Sequence, residues 1–96
     1  MLSLYQAEWC PYSSRVRRRF TELGVTFAAV PVPAQRIDRE EMRRKVGTDE
    51  IPALLLEDGT AITGEADEII AWLDEHYSER ADADKHRRQA EEHGAA

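Results

Sequence analysis

The sequence predicts an α/β domain with a four-stranded mixed sheet and helices on both faces. Three observations carry this. Apolar runs of strand length alternate with stretches of helical periodicity in the order βαβαββα. The first three elements form a βαβ unit, whose strands run parallel through a right-handed crossover. Asp58-Gly59, between the last two strands, is a tight-hairpin signal that makes them antiparallel neighbours.

Met1 to Gln6 is a short, mostly apolar run, suited to a central strand buried on both faces. Arg15 to Leu23 reads as a helix with Val16, Phe20 and Leu23 on one face. Pro11 falls in its first turn, where a missing N–H costs nothing, and Gly24 is the usual stop residue. Val25 to Val32 is rich in β-branched and aromatic residues and reads as the second strand. Pro31 and Pro33 end it and place it at a sheet edge. Ala34 to Asp38 reads as a loop. A charged helix follows from Arg39 to Val46, with Met42 and Val46 as its apolar pair and Gly47 as its stop. Ala53 to Leu56 is a buried strand, and Thr60 to Thr63 completes the hairpin. A helix then opens at Thr63-Gly64-Glu65 and runs to about Tyr77, with Ala66, Ile69, Ile70, Leu73 and Tyr77 in helical register. These elements make one domain over residues 1–78. Residues 79–96 hold no apolar side chain larger than alanine and read as a polar tail, weakly ordered or a solvated helix with little to bury.

Composition narrows the function. Hydrophobic content of 42% with 33% charged residues describes a soluble globule. A net charge of −6 argues against nucleic acid as a partner, because neutralising phosphates needs an excess of Lys and Arg. The basic runs Arg15, Arg17, Arg18, Arg19 and Arg43, Arg44, Lys45 read as solvated helix faces with partners such as Arg18 to Glu22. No apolar run reaches the length of a membrane span, and strand residues beginning at Leu2 leave no signal peptide. One cysteine excludes an internal disulfide framework, and a free thiol suits a reducing cytoplasm.

That cysteine lies in Trp9-Cys10-Pro11-Tyr12-Ser13, at the junction of strand one and helix one. A lone cysteine is commonly a small buried hydrophobe. At a helix N-terminus, however, unpaired N–H groups and the positive end of the dipole favour an anion, here the nucleophilic thiolate. Ser13 stands where a second cysteine would complete a Cys-x-x-Cys pair, so redox chemistry here runs on one thiol. Its hydroxyl is able to donate to the sulfur. His76, His86 and His93 show no ligand spacing with Cys10, so no metal is assigned.

Cys10-Pro11-Tyr12-Ser13 after strand one, Ile51-Pro52 before strand three and Gly64-Glu65-Ala66-Asp67 at the last helix resemble the thioredoxin fold over residues 1–77. The chain is most similar to a glutaredoxin or to the N-terminal domain of a cysteine-type glutathione transferase. The resemblance implies Cys10 as nucleophile, with Pro11, Tyr12 and Ser13 shaping the turn. It implies that Pro52 is cis and that the backbone of Ile51 pairs with the thiol substrate like an added strand. Glu65, Ala66 and Asp67 would then hold the far end of the thiol, a helix N-terminus being a natural carboxylate site. The expected activity is monothiol thiol-disulfide oxidoreduction. No cofactor is bound, and glutathione or another low-molecular-weight thiol is the cosubstrate, with protein mixed disulfides as further partners.

Several positions depart from these families. Ala7 replaces a basic residue of glutaredoxins, Glu8 follows it, Ala66 replaces a transferase serine, and Glu50 beside Asp49 replaces a transferase lysine. Negative charge at Glu8, Asp49 and Glu50 supports a second reading, a non-catalytic thioredoxin-fold interaction module. Iron–sulfur ligation by a dimer is a third. The monothiol glutaredoxins that do this have Gly-Phe where this chain has Pro11-Tyr12.

Overall fold

The computed structural model describes residues 1–94. Its elements are β1 (Leu2–Gln6), α1 (Pro11–Leu23), β2 (Phe27–Pro31), α2 (Glu40–Val46), β3 (Ala53–Leu55), β4 (Ala61–Ile62), α3 (Ala66–His76) and α4 (Ala83–Glu92). The strand order is β2-β1-β3-β4. β1 pairs parallel with β2 and antiparallel with β3, which pairs antiparallel with β4. This is the expected mixed sheet. β2 is an edge strand, and Pro31, opposite Gln6, ends its ladder as a donor-less residue must.

Alternation along the strands sorts side chains onto two faces. Leu4 and Leu54 point into a core closed by Val16 and Phe20 of α1 and Ile69 and Leu73 of α3. The neighbouring Tyr5 and Ala53 point the other way, against Met42 and Val46 of α2. Phe20 stacks on Phe27 with ring centroids 4.3 Å apart. Burying each large apolar side chain contributes about 1.5–3 kcal/mol, so the α1/α3 face supplies most of the apolar stabilisation. α1 stops at Gly24, whose φ of 67° is left-handed.

Three local differences from the sequence reading stand out. The stretch expected as a loop at 34–38 contains a single 3-10 turn, Arg36–Asp38. Glu22 does not pair with Arg18. It faces inward, side chain 11% exposed, and accepts from Arg19 at 2.9 Å and Arg87 at 3.0 Å. Arg18, one turn away, lines the same groove between α1 and α4 but stays exposed, and Glu22 pairs instead with Arg19 and with Arg87 brought in by α4. Within 79–96, α4 packs against α1 with Ala83 buried. Charge rather than apolar area holds it. Arg87 donates to Glu22, Glu79 and Asp84, Arg19 to Asp74, Glu22 and Glu79, and the Arg80 N–H to the Glu22 carbonyl.

Candidate functional site

The β1–α1 junction builds the site. Cys10 is the N-cap of α1, with φ −83° and ψ 119°, and its Sγ accepts the Ser13 N–H at 3.4 Å. The Cys10 N–H in turn donates to the Ala7 carbonyl at 3.2 Å. Cys10 is only 5% exposed, yet it lies in the wall of a pocket of about 700 Å³. The sulfur is therefore sheltered, oriented and reachable from one side.

Four segments line that pocket: Trp9–Tyr12, the loop 34–37 with Arg39, Glu50–Pro52, and Gly64–Ala66. The Ile51–Pro52 bond is cis. Ile51 sits outside the β1–β3 ladder, whose last pair is Tyr5 with Ala53. At the far wall Glu65 is the N-cap of α3 and makes no side-chain capping bond; the Glu68 N–H donates to the Glu65 carbonyl at 3.0 Å, which leaves the N–H groups of Ala66 and Asp67 open. Gly64 has φ 102°, which favours glycine, and a Cβ there would collide with the Glu68 carboxylate.

Of the residues singled out from sequence, Cys10, Pro11, Tyr12, Ile51, Pro52, Glu65 and Ala66 come together around this pocket. Ser13 and Asp67 do not line it. Ser13 is fully buried; its hydroxyl oxygen accepts the Ala7 N–H at 3.4 Å, and its backbone N–H donates to the Cys10 sulfur. The Asp67 carboxylate is paired with Arg15.

The acidic residues that stood out are all paired. Glu8 lies 3.5 Å from Arg17. Arg36 donates to Asp49 at 2.6 Å and to Glu50 at 3.5 Å, and Arg43 takes the other Asp49 oxygen at 3.1 Å. The Arg36 hydrogen bond, with Arg43 adding to it, holds the Asp49 carboxyl below the usual carboxylate range.

Sequence reasoning missed Arg39. It is 3% exposed and donates to the carbonyls of Pro33 at 2.8 Å, Asp49 at 2.9 Å and Ala34 at 3.0 Å. It thus ties together the two loops that form one side of the pocket. The exposed Trp9 and Ile37 on the rim were also missed as site residues. No local signal marks an arginine as buried. Among the described residues no group of three or more His, Cys, Asp or Glu is arranged to hold a metal ion, and no helix is long and apolar enough to cross a membrane.

Residues 4–81 match the family model described as the glutathione S-transferase N-terminal domain. Glutaredoxin 3 of Escherichia coli K12 is 29% identical over 56 residues, 58% of this chain and 68% of that protein. A glutathione S-transferase domain-containing protein from Marinobacter aquaeolei VT8 superposes with a TM-score of 0.67 at 28% identity, covering 79% of this chain and 38% of that one. A glutathione S-transferase from Methylobacterium radiotolerans, solved with glutathione sulfonate, gives 0.66 at 27% identity over 79% of this chain and 35% of its own. Glutaredoxin 2 of Salmonella typhimurium, solved with glutathione, shares the fold with a TM-score of 0.66 at 22% identity, over 77% of this chain and 33% of its own. The chain thus spans well under half of each solved structure and about two thirds of the curated glutaredoxin.

Proposed function

Given that the chain belongs to the glutathione S-transferase N-terminal domain family, we propose that it is a glutaredoxin-like monothiol oxidoreductase that reduces mixed disulfides with glutathione or another low-molecular-weight thiol. The observation that carries this reading is the Cys10 sulfur, held by the Ser13 N–H in the wall of a pocket that also contains Ile51, Pro52 and the open N-terminus of α3. Domain 1–78 holds every element of this site, and 79–96 is accessory to it.

The Cys10 thiolate attacks the sulfur of the small thiol in a mixed disulfide. An S–S bond forms between Cys10 and that sulfur, the old S–S bond breaks, and the released protein thiolate takes up a proton. A second small thiol, as its thiolate, then attacks the same sulfur. This yields the disulfide of the small thiol and returns Cys10 as thiolate. In the net exchange the second small thiol is oxidised into the disulfide as the client sulfur is reduced, and its proton balances the one taken up by the client thiolate. Pro11 and Tyr12 shape the rim, and the Ser13 N–H steadies the sulfur. The Ile51 backbone aligns an extended thiol. The first N–H groups of α3, at Ala66 and Asp67, take a carboxylate, and Glu65 takes an ammonium group. A client protein mixed disulfide approaches across Trp9 and Tyr12. The chemistry belongs in a reducing compartment such as the cytoplasm.

Turnover of a small mixed disulfide with glutathione, repeated with other low-molecular-weight thiols, is the test. Cys10→Ser abolishes it. Ser13→Cys leaves the one-thiol route largely intact and adds an internal disulfide as a competing fate. Equal inactivity of wild type and Cys10→Ser with every thiol sinks the reading and leaves a non-catalytic interaction module.

A further inference from the structure

We propose that Arg17 is a positioning residue for Cys10 and that it masks the Glu8 carboxylate from anionic reactants. The inference rests on reading Cys10 as the reacting thiol. Arg17 sits in the second turn of α1 and reaches back over the loop that precedes the cysteine. Its Nη1 donates to Gln6 Oε1 at 2.5 Å and to the Ala7 carbonyl at 3.3 Å, and stands 3.5 Å from Glu8 Oε2. Gln6 is 4% exposed and the Arg17 side chain 23%, so both groups are largely covered.

Ala7 is the hinge of the arrangement. Its carbonyl accepts from both Arg17 and the Cys10 N–H, and its N–H donates to Ser13 Oγ. The Ser13 N–H donates in turn to the Cys10 sulfur. Arg17 therefore anchors, from outside, the ring of bonds that orients Sγ. The same guanidinium offsets the negative charge that Glu8 brings within two residues of the nucleophile. A charge-assisted donor to a mostly buried amide is among the stronger tethers available. The exposed ion pair with Glu8 is weaker and depends on salt.

The two roles separate in the alkylation of Cys10 in the full chain by neutral iodoacetamide and anionic iodoacetate. In each reaction the thiolate forms an S–C bond and expels iodide. Arg17→Gln lowers the ratio of iodoacetate to iodoacetamide rates about threefold at low salt, the size expected of an exposed charge pair. Adding Glu8→Gln restores the ratio, because the unmasked charge is gone. Arg17→Lys keeps the charge and the ratio, but its nitrogen falls one bond short of the position from which Nη1 reaches both Gln6 and the Ala7 carbonyl, so the iodoacetamide rate falls. An unchanged ratio in Arg17→Gln, a fall that Glu8→Gln fails to reverse, or no alkylation of Cys10 by either reagent overturns the proposal. If Arg17→Gln does not fold, Arg17→Lys decides, and an unchanged iodoacetamide rate in it overturns the positioning role. The expected ratios without any mixed-disulfide turnover would defeat the oxidoreductase reading and leave the role of Arg17 standing. Turnover with an unmoved ratio does the reverse.

Discussion

On one face of the sheet Leu4, Val16, Phe20, Leu54, Ile69 and Leu73 are each 1% exposed or less. On the other, a helix of seven residues brings only Met42 and Val46 to Tyr5 and Ala53. Apolar burial holds the first face. The second has too little apolar area for that, and guanidinium groups make up the difference. Arg39 binds three carbonyls across two loops, and Arg43 binds those of Arg36 and Ile37 as well as Asp49. The pocket opens between these polar-tied loops and Cys10. A region built this way can keep backbone groups available to a ligand, which a close-packed apolar face cannot. The apolar face thus supplies most of the stability and anchors the Cys10 and α3 ends of the pocket, while the polar-tied loops supply its remaining wall, and substitutions should separate the two contributions.

The largest effect is expected on the apolar face. Leu73→Ala leaves a cavity in the core and costs about 3–4 kcal/mol in urea unfolding, while the folded fraction keeps the alkylation rate of Cys10. A cost under about 1 kcal/mol would show that α3 is held by something other than its apolar stripe.

Arg39→Met comes next. It leaves three carbonyls without their charged donor, for a loss of about 2 kcal/mol. Unlike Leu73→Ala, it also raises KM for the mixed disulfide severalfold, because the loops that wall the pocket lose their tie. A normal KM in a destabilised variant would erase the contrast between the faces.

The smallest effect lies far from both, where α4 meets α1. Hydrogen bonds from Arg87 first, then Arg19, lower the Glu79 carboxyl from 4.5 to about 2. A carboxylate depressed in the folded state stabilises above its unfolded value and loses that contribution as pH falls through the folded one. The Tm advantage of wild type over Glu79→Gln is therefore constant above about pH 5. It shrinks below 4.5 and is gone near pH 2. An advantage that does not change with pH would mean that Glu79 acts through packing.

What the sequence determined on its own was local or periodic. Short apolar runs place β1 and β3 within a residue of their bounds, and the 3.6 period places the C-terminal ends of α1 and α3 as closely, because burying one face of a helix leaves its period in the chain; α1 itself starts at Pro11, four residues before the Arg15 at which its stripe is read. The Cys10–Pro11 junction is legible because capping chemistry is set by neighbours in sequence. The meeting of Ile51-Pro52 with Cys10 was legible only through a family resemblance, not through any spacing rule. Tertiary structure alone decided the partners of the long charged side chains. Glu22 offered Arg18 and Arg19 nearby, and it took Arg19 together with Arg87, which is 65 residues away. Asp67 took Arg15, and Asp49 took Arg36 and Arg43. Alternative pairings of this kind differ by less than about 1 kcal/mol, so the sequence holds no local preference among them. The choice falls to whichever groups the apolar core brings within reach, and the burial of Arg39 follows from the same cause: two loops left carbonyls unpaired at a distance only the fold could set.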